Sequence, residues 1–449
     1  MENRNGISRR GFMQLGLGLG AFAALGRLNI ARAATATDYK ALVCIFLFGG
    51  NDGHNTVVPL DSTGYNNYKA GRLGLALPPG QLLPINTSNN APYGLHYGLP
   101  ELQSLYNQNK LAILANAGML VQPTSRQQFL SPNATVPTNL FSHADQVVQM
   151  QTGAPNASSG AGWGGRTADF MQPLNTSANF PTSISLSGQA LFCSGKAVQS
   201  ASLQPGNYMA QNAMSFWPQA EADKRAQSQK EIVTTTSGNQ MIDAANKQMG
   251  DALTLGPMLK NASGSSSFAN LFPPTPLGDQ LKEVANIINL RQQLGVSRQV
   301  FFCSLGGFDL HSGLSWNHWN LLTQVSKAMS AFYTATGMMQ IQDSVTTFTL
   351  SDFGRTLQPG GTGSDHGWGS HYFIMGGAVK GGDLYGTFPQ LILNGPDDAN
   401  TRGVLIPTVS ISQYGATLAR WFGAAEDEID QVFPTLANFN PVRDLGFMQ

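Results

Sequence analysis

The sequence predicts a protein of the α/β class, and three observations carry that prediction. Continuous apolar or β-branched runs of strand length occur at residues 41–48, 111–115, 299–305 and 345–350. Such runs are typical of strands that helices cover on both faces. A helical pattern at residues 99–109 precedes the second run, which gives a strand–helix–strand rhythm. Polar side chains follow three of the runs closely, at Asp52, Asp309 and Asp352.

The chain is long and apolar enough to bury a large core. Its 449 residues are 42% hydrophobic and 12% charged, which predicts one large domain or two closely merged ones. Between about residues 205 and 295 the composition shifts towards Ala, Gln, Lys, Asn and Met. We predict a helical insertion or cap there, whose last helix, at residues 277–294, packs on the sheet. Residues 412–422 predict an amphipathic helix that ends at Gly423.

The N-terminus has the features of a targeting segment. Residues 8–13, Ser-Arg-Arg-Gly-Phe-Met, resemble the twin-arginine export signal of bacteria, and a Gly/Ala/Leu-rich stretch and an Ala-Arg-Ala site follow. The apolar stretch is shorter than the roughly 20 residues that span a bilayer. We therefore predict a signal peptide over residues 1–33, cleavage after Ala33, and no stable membrane span afterwards. The mature protein is expected to be periplasmic or secreted, exported in the folded state by the twin-arginine machinery.

Charge and cysteine content exclude two classes of protein. The 26 basic and 26 acidic residues balance, but residues 1–33 hold five of the arginines and a single glutamate. The mature chain is therefore net acidic, which argues against nucleic acid as a partner. Three cysteines, an odd number, exclude a full disulfide framework. Cys44 and Cys303 lie inside apolar runs, where we expect them to pack as small hydrophobic residues.

The candidate site residues follow the predicted strands. In open α/β sheets ligands bind at the carboxyl ends of the strands. Asp52 lies in a glycine-rich turn after the first run, and an isolated instance would be read simply as an Asn-Asp-Gly turn. The same design recurs after the later runs, so a functional interpretation gains weight. The candidates there are Asp309, His311, Asp352, Arg355, Asp365, His366 and His371.

Ser142 is predicted to begin a helix. Asp145 stands three residues later, which by pattern makes a capping box with Asp in place of the usual Glu or Gln. A capping role is compatible with function, because a helix N-terminus favours anions and can hold a phosphoryl or sulfuryl group against a serine hydroxyl.

Carboxylates and imidazoles from separate loops suit one or two divalent metal ions. Mixed oxygen and nitrogen ligands are typical of Zn or Mn and less typical of Ca, and Mg is the remaining candidate. Two ions about 4 Å apart can hold the attacking and leaving oxygens of a phosphoryl or sulfuryl transfer. Of the seven histidines we expect His96 and His318 to be solvated or packed. Those in the motif regions are His143, His311, His366 and His371, with His54 as a fifth candidate.

The order of the motifs resembles a known family. The motifs are Phe-Gly-Gly-Asn-Asp-Gly at 48–53, Phe-Ser-His-Ala-Asp-Gln at 141–146, Gly-Trp-Gly-Gly-Arg at 162–166, Gly-Phe-Asp-Leu-His at 307–311, Ser-Asp-Phe-Gly-Arg-Thr at 351–356 and Ser-Asp-His-Gly at 364–367. Together they look like the exported bacterial proteins called domain of unknown function 1501. That family is grouped with the alkaline phosphatase and sulfatase superfamily. The resemblance implies one alkaline-phosphatase-like domain over residues 34–449, a three-layer α/β/α fold with a central, mostly parallel sheet.

The resemblance also implies roles for single residues. Asp52 would match the first metal aspartate of the superfamily, and Ser142 its nucleophile or anion-binding residue. Asp309 and His311 would match the Asp/His pair of the other metal, although only one residue separates them here and three is usual. Arg355 could clamp an anionic ester, because a guanidinium matches phosphate or sulfate geometry.

The last motif leaves two alignments open. The superfamily has Asp-His at the end of a late strand, where this chain has Asp352 followed by Phe353. Either Asp352 is the ligand and one histidine is missing, or the loop folds back so that Asp365 and His366 supply the ligands. In the second alignment His371 is a candidate for the remaining histidine.

Two functions follow from these alternatives. The first is an exported metal-dependent hydrolase of phosphate or sulfate esters, with an anionic ester as its substrate. The alternative is a catalytically degenerate family member that acts as an exported binding or assembly factor, which the phenylalanine at position 353 motivates.

Overall fold

The fold is taken from a computed structural model, in which residues 38–449 are described except 157–159, 176–179, 199, 207–217 and scattered positions between 240 and 269. The predicted signal segment and part of the predicted insertion lie outside the described residues. Within the described part of the chain, no helix combines the length and the apolar character needed to cross a membrane.

The strands are numbered along the chain. They are β1 (Lys40–Leu47), β2 (Val57–Pro59), β3 (Leu83–Asn86), β4 (Pro92–Leu95), β5 (Leu111–Gly118), β6 (Ser183–Ser185), β7 (Ala201–Ser202), β8 (Arg298–Leu305), β9 (Val345–Ser351), β10 (Arg355–Gly360), β11 (Gly363–His366), β12 (Ser370–Met375), β13 (Leu384–Tyr385) and β14 (Val409–Ser410). The central sheet has the order β13-β5-β12-β9-β1-β8-β6-β7, with β14 beside β5. Only β12 runs antiparallel to its neighbours among the described strands of this sheet.

The helices cover both faces of this sheet. They are α1 (Gly53–Thr56), α2 (Ser62–Arg72), α3 (Pro100–Asn107), α4 (Arg126–Phe129), α5 (His143–Thr152), α6 (Trp163–Met171), α7 (Gln219–Thr234), α8 (Pro276–Asn289), α9 (Leu314–Met338), α10 (Ile411–Phe422) and α11 (Glu426–Val432). Alternate residues of β1 point to opposite sides, so Val43 packs with α3, α8 and α9 while Phe46 packs with α6, α10 and α11. The structure therefore confirms the predicted three-layer α/β fold with a mainly parallel central sheet.

The sequence predicts the boundaries of two helices, and the structure confirms the end of one of them. The predicted C-terminal helix is confirmed as α10, which ends at Gly423 in the left-handed conformation that glycine favours. The predicted helix 277–294 ends earlier, at Asn289 in α8, and residues 290–295 form turns. Leu294 is nevertheless buried, so the apolar spacing continues beyond the helix and made it look longer than it is. In the predicted insertion, α7 buries only Ala222 among its described side chains.

Two small sheets pack beside the main one. Strands β2, β4 and β3 form an antiparallel sheet, and β10 and β11 form a hairpin. The hairpin folds back onto the loop after β8, because the Ser364 backbone N–H donates to the Leu310 carbonyl over 3.1 Å and the Leu314 N–H donates to the Thr362 carbonyl over 3.0 Å. This return brings His366, at the end of β11, to the carboxyl edge of the sheet.

Candidate metal centre

The carboxyl ends of three neighbouring strands meet at one point. Leu47, the last residue of β1, lies opposite both Leu305 of β8 and Ser351 of β9. The loops that follow are bonded to one another: the Gly49 N–H donates to Asp352 Oδ1 over 3.1 Å. The chain therefore delivers the polar residues after all three strands to the same edge, as the sequence predicted.

Arg355 forms hydrogen bonds to several of these loops. Its side chain is buried, and its three guanidinium nitrogens all donate to protein oxygens. The acceptors are the carbonyls of Gly49, Gly50, Phe308 and Ser364 and the carboxylate of Asp309. Burial alone would raise the pKa of Asp309, but the hydrogen bond and charge of Arg355, with smaller contributions from His143 and His311, lower it to about 2. Asp309 is therefore held as a carboxylate.

Three histidine side chains converge on this carboxylate. His143 comes from the first turn of α5, His311 follows β8, and His366 ends β11. Their Nε2 atoms lie 3.4, 3.0 and 3.5 Å, respectively, from Asp309 Oδ1. The Nε2 atoms of His311 and His366 are 3.1 Å apart. Four donor atoms from three separate segments thus surround one small volume.

A second contact, at Nδ1, orients each imidazole. His143 Nδ1 lies 2.6 Å from Asp352 Oδ2, and His366 Nδ1 lies 2.7 Å from the Phe141 carbonyl oxygen. Because both oxygens only accept hydrogen bonds, each Nδ1 carries a hydrogen, and in the neutral ring Nε2 keeps a free lone pair. His311 Nδ1 lies 3.2 Å from Asp365 Oδ1 in the same arrangement. Metal-binding histidines are oriented in this way by a carboxylate or a backbone carbonyl.

The protonation of these histidines reflects their surroundings. The hydrogen bond and charge of Asp352 raise the pKa of His143, whereas burial lowers the pKa of His366. The Phe353 ring is buried against both imidazoles, with ring centroids 4.6 Å from His143 and 4.8 Å from His366. The phenylalanine therefore forms the apolar wall of the cluster at the position where the resemblance predicts a histidine.

The backbone at Phe141 is unusual. Its φ of 74° lies in the left-handed region, which is rare for a bulky residue. This conformation points its carbonyl oxygen at His366, and the Phe141 N–H is satisfied by Gln146 Oε1 at 2.7 Å. Strained backbone of this kind persists where the surrounding structure enforces it and is frequent at functional sites.

The donor set fits a divalent transition metal ion. Zn–N bonds are about 2.0–2.1 Å, so neighbouring donors of a tetrahedral ion are roughly 3.4 Å apart. The donor separations here, 3.0–3.5 Å, are close to this value. His143, Asp309 and His366 each offer one ligand atom within 4.8 Å of the others. His143 Nε2 is also buried without a hydrogen-bond partner among the described residues, which is costly unless something binds it.

The structure brings five of the predicted metal ligands to this cluster. Asp309, His311 and His366 contribute donors, and Asp352 and Asp365 lie behind two of the imidazoles. Of the residues in the two alignments that the sequence left open, His366 offers a donor atom, whereas Asp352 and Asp365 contact the cluster through His143 and His311.

Two predicted ligands lie apart from this cluster. Asp52 is buried in an ion pair with Arg72 of α2. His371 is buried on β12, where its Nδ1 accepts a hydrogen bond from the Asn116 N–H over 3.0 Å and its ring stacks on Phe388. Burial lowers the pKa of His371 to about 3.

Ser142 caps α5, as predicted. Its Oγ accepts from the Asp145 N–H over 3.4 Å and donates to Asp145 Oδ2 over 2.6 Å. The Asp145 carboxylate therefore bonds the serine hydroxyl and not the Ser142 backbone N–H of a full capping box. Ser142 is adjacent in sequence to His143, the cluster residue in the first turn of α5.

Sequence reasoning did not include His143 among the ligands. The sequence places it among the histidines of the motif regions, in the 141–146 motif. Its position in the first turn of a helix, next to the predicted anion-binding residue, was the signal that could have identified it. Arg72 and Arg402, which pair with Asp52 and Asp365, stand in segments without any motif.

Fold and site together define the class of this protein: an α/β protein with a histidine- and aspartate-lined candidate metal centre at the carboxyl edge of its sheet. The family described as "Protein of unknown function (DUF1501)" matches residues 39–402, so the chain belongs to this family. The predicted family is thereby confirmed, whereas its placement in the alkaline phosphatase and sulfatase superfamily stays a prediction. No curated protein matches the sequence.

Several solved structures resemble the chain weakly. Ps i-CgsB has 10% sequence identity and a TM-score of 0.38, with 90% of this chain and 78% of that one covered. The Zn complex of the C-terminal periplasmic domain of EcEptC from Escherichia coli has 9% identity and a TM-score of 0.38, with 87% and 84% covered. The PsFucS1 sulfatase from Pseudoalteromonas sp. has 10% identity and a TM-score of 0.36, with 90% and 71% covered. Likeness at this level does not define function.

Proposed function

We propose that this protein is an exported metal-dependent hydrolase of phosphate or sulfate esters that binds one divalent ion. The observation that carries the proposal is the convergence of three imidazole Nε2 atoms on Asp309, with an oxygen acceptor behind each ring. His143, Asp309 and His366 would hold the ion, and His311 stands beside them as a further donor. A second ion is not part of the proposal, because the carboxylate of Asp52 is paired with Arg72.

An imidazole-rich donor set favours zinc over magnesium or calcium, which prefer oxygen ligands. When bound, such an ion supplies a Lewis acid for the ester oxygen and a water of lowered pKa. Asp309 and His311 are each 48% exposed, whereas the other side of the cluster is closed by Phe353. A substrate would therefore approach past His311.

The remaining residues would position the donors. Asp352 and the Phe141 carbonyl set the orientation of His143 and His366, and Arg355 keeps Asp309 ionised. All three guanidinium nitrogens of Arg355 are directed at protein oxygens, so we assign it this positioning role in place of an anion clamp. Ser142 remains the proposed nucleophile, with Asp145 as the acceptor of its hydroxyl hydrogen.

The test uses the mature chain, residues 34–449. We expect about one equivalent of bound zinc by elemental analysis and turnover of at least one ester in a panel of aryl phosphates and sulfates. Asp309→Ala should lose both, and Ser142→Ala should keep the metal and lose turnover. Asp427→Asn, an exposed carboxylate on α11, is the matched control and should change neither.

The outcomes separate the two candidate functions. A folded protein that binds no divalent ion would refute the proposal. A protein that binds the ion but hydrolyses no ester would favour the alternative of a binding or assembly factor. Turnover that survives Ser142→Ala would keep the hydrolase and remove the serine from its mechanism, leaving water as the nucleophile.

We also propose that residues 1–33 direct export of the folded protein. The supporting observation is the Arg-Arg pair at positions 9 and 10 ahead of a short apolar stretch. Replacing both arginines with lysine should retain the protein in the cytoplasm of a bacterial host, as measured by fractionation. Equal export of both forms would exclude the twin-arginine route.

A further inference from the structure

One arginine near the candidate metal centre is arranged differently from the others. Arg402 lies on the loop between β13 and β14, and that loop is held by Asp398, whose side chain is buried. The Asp398 carboxylate accepts hydrogen bonds from the backbone N–H groups of Asn394, Asn400, Gly403 and Val404, over 2.8–3.0 Å. The Gln358 N–H also donates to the Arg402 carbonyl over 2.9 Å, which joins the loop to β10. The backbone of Arg402 is therefore firmly positioned.

The guanidinium group of Arg402 makes few hydrogen bonds within the protein. Nη1 donates to Asp365 Oδ2 over 2.5 Å, and Nε lies 3.4 Å from Gln358 Oε1. Nη2 has no acceptor among the described residues, and the side chain is 39% exposed. Arg72 and Arg355, the other arginines at these strand ends, are buried and bonded to protein oxygens. Of these three arginines, Arg402 is thus the one that solvent and ligands can reach.

A short chain of contacts connects Arg402 with the cluster. Asp365 bonds Arg402 through Oδ2 and His311 through Oδ1, and His311 Nε2 lies 3.0 Å from Asp309 Oδ1. The guanidinium therefore reaches the cluster through Asp365 and His311, of which His311 is itself a further donor. These intervening residues lie on the exposed side of the cluster, where a substrate would approach.

We propose that Arg402 binds a second anionic group of the substrate, so that the preferred substrates are esters that carry a carboxylate, sulfate or phosphate in addition to the reacting group. This inference rests on the proposed hydrolase function. The free Nη2 can bond an anionic oxygen while Nη1 keeps Asp365, so no protein contact has to break. Because Asp365 offsets part of the charge and the site is partly solvated, the gain in affinity is moderate.

The kinetic test compares two nitrophenyl esters that differ by one ring carboxylate. The ester type, phosphate or sulfate, is the one that the wild-type protein hydrolyses. Arg402→Gln should raise KM about five- to tenfold for the carboxylated ester, with kcat unchanged, and should leave the plain ester unaffected. Arg402→Lys should restore part of the difference. The control is Arg443→Gln, a surface residue paired with Asp430, and it should change neither substrate.

A binding measurement keeps the inference testable if no ester is hydrolysed. Calorimetry on the zinc-loaded protein would compare benzenedisulfonate with benzenesulfonate, neither of which can be cleaved. A preference for the dianion that Arg402→Gln removes would support the second anion site even if the hydrolase proposal fails. Equal binding of the two sulfonates would overturn the inference. An equal effect of Arg402→Gln on both esters would also overturn it, because Arg402 would then act only through Asp365 and His311.

Discussion

Histidines occupy two contrasting regions of this molecule. His143, His311 and His366 form a partly exposed cluster at the sheet edge, whereas His54, His96, His318 and His371 are buried. In the exposed cluster every Nδ1 faces an oxygen acceptor and every Nε2 points at a shared carboxylate. The buried histidines instead bond single backbone or amide groups: His54 Nε2 donates to the Arg355 carbonyl and His318 Nε2 to Asn51 Oδ1, over 2.9 and 3.0 Å.

The comparison shows that residue type and motif membership do not define a metal ligand. What distinguishes the two regions is the partner of the other ring nitrogen and the access of solvent. Burial lowers the pKa of His54 and of His318 to about 3, so these rings are neutral structural groups. The exposed cluster has carboxylates close enough to compensate a positive charge.

The largest expected difference separates His366 from His318. His366→Ala removes a donor and should weaken zinc binding more than about 100-fold, with little change in the stability of the metal-free protein. His318→Ala leaves Asn51 Oδ1 unpaired and opens a cavity, so it should cost about 2–4 kcal/mol of stability and leave zinc affinity unchanged. Chelator competition and chemical unfolding measure the two quantities. Loss of zinc binding in the His318 variant would contradict the distinction between the cluster histidines and the buried histidines.

The buried histidines also predict an acid-sensitive fold. Their pKa values of about 3 for His54, His318 and His371, and about 2 for His96, lie below the ordinary 6.5. Between these values the unfolded state binds more protons, so stability is kept above about pH 6.5 and falls as the pH falls towards 3. Each histidine contributes a slope of about 1.4 kcal/mol per pH unit. Unfolding of the metal-free protein, followed from pH 7 to pH 4, tests this, and a flat profile would contradict it.

Asp352 should have a smaller effect, confined to the exposed cluster. Asp352→Asn replaces the acceptor of the His143 Nδ1–H and should reduce zinc affinity about 10- to 100-fold, because the ring loses its orientation and tautomer. Asp427→Asn serves again as the control. If the Asp352 variant bound zinc as tightly as the wild type, His143 would not be a ligand.

Much of the fold was predictable because its signals are local. Runs such as residues 41–48 are apolar throughout, since helices cover both faces of β1, and that pattern is visible in the sequence. The convergence of Asp309 and Asp352 followed from the rule that parallel strands share a carboxyl edge. The end of α8 was missed because Leu294 stays buried after the helix has ended.

The site itself depends on contacts that the sequence does not display. Asp52 has the same strand-end position as Asp352, yet Arg72, twenty residues later on α2, forms an ion pair with it. Only the packing of α2 against the loop decides this. His371 follows His366 by five residues but lies on the antiparallel strand β12, which turns it into the core.

The smallest predicted effect concerns Phe353, the residue whose identity motivated the degenerate alternative. Phe353→Leu keeps an apolar side chain but removes the flat ring that contacts His143 and His366, so zinc affinity should fall only a few-fold. Stability should fall by about 1 kcal/mol.

Phe348 supplies the matched comparison, since it is buried on β9 and packs against Trp163 and Tyr414, away from the cluster. Phe348→Leu should cost similar stability and leave zinc affinity unchanged. Equal zinc affinities in the two variants would mean that the ring at position 353 only fills space. A selective loss in the Phe353 variant would mean that it holds the histidines in place, as expected of a working metal centre.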